Sequence, residues 1–170
     1  MQKFKSEDEQ IVLFAQPSDA AGFHFASVEG FEKKAAQTRS PSGQLVEKYE
    51  IEFFEGDELA KELFAALGVD QRSFGAFLTA CNYWNTEQKY KVIIAITECG
   101  IAFDLHADNP DKLAIEIYDT ENLGELTPQS YPTLSDHVSR PIDLNSIAHE
   151  LRHEYNEITI AGVPLVYRCG

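Results

Sequence analysis

Tyr49-Glu-Ile-Glu-Phe-Phe-Glu-Gly-Asp-Glu-Leu-Ala-Lys-Glu-Leu-Phe-Ala-Ala-Leu-Gly68 changes its hydrophobic period partway along. Tyr49, Ile51 and Phe53 alternate with Glu50, Glu52 and Phe54, a period of two that predicts a half-buried strand with carboxylates on its outer face. After Asp57, a residue type suited to a helix N-cap, Leu59, Leu63 and Leu67 fall on one helix face until Gly68 stops the run. A half-buried strand followed at once by a short amphipathic helix belongs to a mixed fold with one-sided sheets.

Residues 11–15 and 21–25 read as two short strands separated by the turn residues Pro17, Ser18 and Asp19. Residues 28–39 read as a helix with Phe31 and Ala35 on one face, and 40–43 as a loop. Downstream, Asp70 is the expected cap of a helix that turns Phe74, Phe77, Leu78 and Cys81 inward. Thr86 is the expected cap of a third helix running through Tyr90, Ile93 and Ile94 to about Gly100. Its β-branched run also fits a strand. Ile101, Phe103 and Leu105 alternate with Asp104 and His106, which predicts a strand paired across Pro110-Asp111 with Leu113, Ile115 and Ile117. Residues 120–139 are turn-rich, and Asp143 or Asn145 is the expected cap of a helix reaching Tyr155. Ile158 and Ile160, then Ala161-Gly162, then residues 165–168 predict a closing hairpin. The expected class is α+β: small antiparallel sheet units flanking a helical middle, an order compatible with an elongated molecule. The expected segments are 1–56, an N-terminal α/β unit; 57–100, the helical middle; and 101–170, a C-terminal α+β unit.

The 170 residues carry 28 acids and 14 bases, a formal net charge of −14. With 44% apolar and 11% aromatic residues, the chain has the surface to build a core, unlike a disordered acidic tail. The acidity excludes a general nucleic-acid binder, which needs a Lys/Arg surplus, and a polybasic membrane anchor. No apolar run approaches the roughly 20 residues of a membrane span, and Met1 is followed by polar and charged residues rather than a signal core. Cys81, Cys99 and Cys169 are odd in number and lack CxxC spacing, which fits a reducing, cytoplasmic setting. The acidic excess is spread along both halves. One cluster holds Glu50, Glu52, Glu55, Glu58 and Glu62; another includes Asp104, Asp108, Asp111, Glu116, Asp119, Glu121 and Glu125. These are the candidate binding carboxylates, to be weighed against plain solubilising surface.

His149-Glu150-Leu151-Arg152-His153 matches HExxH, in which two histidines one turn apart bind zinc and the glutamate activates water. An apolar stripe at Leu144, Ile147, Ala148, Leu151 and Tyr155 puts both histidines on the opposite, solvent-facing side of that helix. No histidine follows His153 as a third ligand. A zinc-dependent hydrolase is therefore the alternative reading, and stoichiometric zinc lost on His149→Ala is what it requires. The chain has no phosphate-binding glycine loop and no nucleophile elbow. Asp108 and Asp111 fit a solvated loop as well as a divalent ion, and His24 and His106 fit surface or core-edge positions.

Asn122-Leu-Gly-Glu-Leu-Thr-Pro128, Ile142-Asp-Leu-Asn-Ser-Ile-Ala148 and Glu150-Leu151 resemble the "LGE-x-P … IDY-x-A-x-A-R-D-L" segment of the ArdA-type antirestriction family. Thr159-Ile-Ala-Gly162 and Val166-Tyr-Arg-Cys-Gly170 are similar to the tail of an ArdA-like subgroup carried on mobile elements. This chain has His149-Glu150 where the family has Arg-Asp, and Leu144 where it has tyrosine. The resemblance implies an acidic DNA mimic that occupies the DNA-binding groove of a type I restriction-modification methyltransferase, commonly as a homodimer. It implies no enzymatic activity, no cofactor and no direct contact with nucleic acid. An acidic inhibitor of some other target would need the same kind of face.

Overall fold

The computed structural model describes residues 10–119 and 155–170. The chain divides into two compact units, Met1–Pro110 and Asp111–Gly170. The described residues are α+β, with two three-stranded antiparallel sheets and four α-helices.

In the N-terminal unit the strands are β1 (Val12–Gln16), β2 (Phe23–Phe25) and β3 (Glu50–Glu55), in the order β2-β1-β3. Registers set the faces. Leu13 lies between Phe25 and Phe53, and Ala15 between Phe23 and Ile51, on the buried side. Phe14 lies between His24 and Glu52 on the outer side.

Helix α1 (Val28–Ala35) starts at Ser27, whose hydroxyl accepts the Gly30 amide, and ends several residues short of the expected Arg39. Helix α2 (Glu58–Leu67) starts at Asp57, whose carboxylate accepts the Ala60 amide at 2.7 Å, and ends at Gly68 as expected. Helix α3 (Phe74–Tyr83) does not use Asp70 as its cap. That carboxylate accepts the Arg72 and Ser73 amides in the turn that precedes the helix. Helix α4 (Thr86–Thr97) is capped by Asn85 rather than Thr86. Asn85 and Gln88 exchange side-chain-to-backbone bonds in a full capping box. That local signal sets helix against the β-branched run, and the run Val92, Ile93, Ile94 and Ala95 is buried around the helix.

The helices belong to the same unit as the first sheet because the core rings are shared. Phe25, Phe31 and Phe74 stand 4.9–5.1 Å apart, joining β2, α1 and α3. Phe53, Phe64 and Phe77 form a second chain at 5.7 and 5.4 Å, joining β3, α2 and α3. Edge-to-face rings at these separations add to simple area burial.

Tyr49 packs against Phe23 and Phe31 with its hydroxyl buried and without a hydrogen-bond partner among the described residues. A buried hydroxyl without a partner costs its desolvation. Tyr49→Phe is therefore expected to stabilise the fold by about 1 kcal/mol, read as a raised urea midpoint with an unchanged slope.

Residues 101–105 do not form the expected strand. The Asp104 carboxylate takes the His106 amide, and Asp108 takes the Asp104 amide, so the side chains close a turn. Phe103 instead sets its ring edge-on to Trp84 at 5.7 Å.

The C-terminal unit holds β4 (Ile115–Asp119), β5 (Asn156–Ile160) and β6 (Val163–Cys169), with β6 central. The partner of β4 is thus β6, from the chain end, and not the preceding segment. The expected hairpin joins β5 to β6 through Ala161 and Gly162, both at positive φ, 51° and 81°. That is the two-residue turn whose twist matches antiparallel strands.

Candidate binding surface

Strand β3 is an edge of its sheet and carries the densest ordered row of carboxylates. Glu50 and Glu52 project outward opposite Gln16 and Phe14. Simple alternation would turn Glu55 inward after Phe53. It does not, because one step on β1 spans two on β3: Leu13 faces Phe53 and Val12 faces Glu55. Phe54 is the extra residue of this bulge, which brings both Phe54 and Glu55 to exposed positions. Glu58, in the first turn of α2, is exposed as well and is placed favourably for the helix dipole. Glu50, Glu52, Glu55 and Glu58 are exposed, and their carboxylates have no ion pair or hydrogen bond among the described residues.

Glu50, Glu52 and Glu55 face Gln16, Phe14 and Val12, every second residue of β1, because the bulge absorbs Phe54, so these charges are spaced by about 6.8 Å along the strand. One strand of duplex DNA carries a charge about every 3.4 Å. The row therefore has roughly half the linear density of one DNA strand.

Other candidates are placed differently. Glu62 is half-buried and already engaged. Asp104 and Asp108 are exposed, but their carboxylates hold the local turn. Asp111 is exposed in a single 3₁₀ turn, Pro110–Lys112, and is engaged too. Glu116, expected outward, is half-buried and neutralised: Arg168 approaches its carboxylate at 3.5 Å and the Tyr155 hydroxyl donates to it. The same guanidinium lies 5.2 Å from the centre of the Tyr155 ring. The reason is register, since Glu116 and Arg168 are directly opposite on β4 and β6. Asp119 is placed by its backbone at the end of β4. Glu121, Glu125, the helix expected after Asp143 or Asn145, the His149-Glu150-His153 motif and the segments 122–128 and 142–148 lie outside the described residues.

Three rings stand on the same outer face. The Phe14 and His24 rings are 4.8 Å apart, and the His24 and Phe54 rings 4.2 Å. Phe14 lies so close over Gly22 that a Cβ there would collide with its ring and with the Ala15 carbonyl. Only glycine leaves room for the ring. The one signal of this cluster in the sequence is Phe54 standing in an outward slot.

Two cavities in this unit hold polar groups. A groove of about 830 Å³ at the start of β3 is lined by Gln16, Ser18, Lys48, Glu50 and Asp70, among others, with no histidine or cysteine. A second, of about 420 Å³, is lined by Cys81, Lys89, Asp57 and Asn82, among others. Cys81 is a free thiol whose pKa burial pushes up to about 12, against the opposing pull of the Lys89 charge and with a small push from Asp57. A protonated thiol is a poor nucleophile. Folding therefore opposes ionisation: the stabilisation is complete below the unfolded value of 9.0 and is lost as pH rises toward about 12. Iodoacetamide at about pH 8 is expected to label Cys81 at least about 100-fold more slowly in the folded chain than in denaturant, by mass spectrometry of its peptide. Among the described residues, no group of three His, Cys, Asp or Glu is placed to hold a metal ion. No described helix is long and apolar enough to cross a membrane.

Comparison with protein-family models, with curated proteins and with solved structures finds no match to this chain.

Proposed function

We propose that this chain is an antirestriction protein of the ArdA type, a DNA mimic whose acidic surface occupies the DNA-binding groove of a type I restriction-modification methyltransferase. The observation that carries the reading is the row Glu50, Glu52 and Glu55 on β3, with Glu58 on the helix that follows, all exposed and with carboxylates unpartnered among the described residues. The resemblance of residues 122–128, 142–148 and 150–151 to that family supports the same choice of target.

The mechanism needs no catalytic residue and no cofactor. A groove lined with Lys and Arg is built for phosphate oxygens, and phosphate contacts carry little sequence information. Carboxylates on a rigid backbone satisfy the same cations, so the mimic competes with any DNA sequence. A row of half the density of a DNA strand must be supplemented by other rows, and a second copy of the chain in a homodimer is one source. The protein acts in the cytoplasm of a cell that has received a mobile element, where the enzyme meets incoming DNA.

The test is a gel-shift of a type I methyltransferase on its DNA, titrated with this protein at about 50 mM salt. Loss of the enzyme–DNA band is expected, weakening as salt rises because exposed charges are screened. Unchanged DNA binding at large excess overturns the reading for that enzyme.

A further inference from the structure

The outer face of the first sheet is more than a row of charge. His24, Phe14 and Glu52 lie in one line across β2, β1 and β3, and Phe54 leans over from the bulge to meet His24. Phe54 is 59% exposed. Edge-strand protection accounts for the bulge and the glutamates, because both discourage pairing with another chain. It does not account for an exposed ring at the bulge, since a charged residue there would protect the edge better. A single exposed apolar side chain needs no explanation. A cluster of three rings among three unpartnered carboxylates is a built surface.

We propose that this face docks an arginine-bearing segment of a basic protein partner, with guanidinium groups paired to Glu50, Glu52 or Glu55 while stacked on the Phe54 ring. The inference rests on the proposed function in one respect, that the partner is cationic. Charge complementarity selects the occupant. Nucleic acid is repelled, and so is a second copy of the same face, which would set its carboxylates against their equivalents. A purely apolar partner would bury the carboxylates without counter-charges, at a large desolvation cost. A cation with a flat, weakly hydrated face satisfies both parts of the surface. Arginine has that shape and lysine does not, because a compact ammonium pairs with carboxylate but stacks poorly.

The experiment uses the full chain and two fluorescent peptides of equal length and charge, arginine alternating with serine and lysine alternating with serine, followed by anisotropy at low salt. The arginine peptide is expected to bind about two- to five-fold more tightly. Phe54→Ser removes that preference while keeping lysine-peptide binding, and Phe54→Leu does the same with an apolar side chain retained, so a folding defect in either is recognised by circular dichroism and bypassed with the other. Replacing Glu50, Glu52 and Glu55 together by glutamine weakens both peptides, whereas Glu29→Gln with Glu32→Gln on α1 leaves both unchanged. Equal affinities in the unaltered protein, a preference that survives both Phe54 variants, or a glutamine triple no weaker than the α1 control overturns the proposal. A dimer in sedimentation that Phe54→Ser dissociates gives the face to self-association and also overturns it. An arginine preference without methyltransferase inhibition sinks the choice of target and leaves this face standing; inhibition without the preference does the reverse.

Discussion

Reversing Glu50, Glu52 and Glu55 together to lysine is expected to weaken competition with DNA for a type I methyltransferase roughly 100-fold at low salt. The size follows from exposure. Each of these carboxylates is exposed, so each ion pair it forms with the target contributes only about 0.2–1 kcal/mol. Reversal removes three such attractions and creates three repulsions of similar size, roughly 3 kcal/mol together. The ratio of mutant to unaltered protein should narrow as salt is raised, because screening acts on attraction and repulsion alike. The measurement is the protein concentration that halves the enzyme–DNA band, taken at two salt concentrations. A triple reversal that competes as well as the unaltered protein would show that β3 is solvated surface and that the acting carboxylates are elsewhere. The fold should survive, since these side chains point away from the core and no described group depends on them.

The largest stability effect is expected at Phe77. Its side chain is completely buried, and it meets Phe64 edge-to-face at 5.4 Å where α3 packs beside α2. Phe77→Ala removes a ring that the surroundings cannot refill and should cost about 3–5 kcal/mol. Domains of this kind are stable by about 5–15 kcal/mol in all, so the variant should lose about a fifth or more of its stability and unfold at a clearly lower urea concentration. Phe77→Leu, which keeps more of the volume, should cost less. Phe54→Ser makes the contrast: the same residue type at an exposed position should cost less than about 1 kcal/mol. A small effect at Phe77 together with a large one at Phe54 would mean that the two faces of the β3 sheet have been assigned the wrong way round.

Much of this architecture was legible from local chemistry. The switch of period between Phe53 and Leu59 marks where β3 hands over to α2, and Asp57 and Gly68 bound that helix as their side chains suggest. The Ala161-Gly162 turn announces the last hairpin. Each of these depends on groups only a few residues apart. The expectations that failed depended on which of two competing partners a side chain or strand takes. Residues 101–105 have the alternation of a strand, yet Asp104 and Asp108 turn the backbone with their own carboxylates, and β6 takes the edge of β4. Asp70 looks like a helix cap but serves the turn before the helix. Glu116 looks like a surface charge until Arg168 and Tyr155 are brought to it from the far end of the chain.

The same division holds for the candidate surface. The amino-acid sequence alone determined the sign of the charge, its spread and the outward alternation of Glu50 and Glu52, because composition and a period of two need no partner. The tertiary structure decided that Glu55 joins the exposed row, since a bulge exists only relative to the neighbouring strand that it fails to match. It decided that the row is interrupted by rings, since Phe14, His24 and Phe54 come from three different strands. It also decided which carboxylates are spent within the fold, because an ion pair between residues more than fifty positions apart is a property of strand register and not of the local chain.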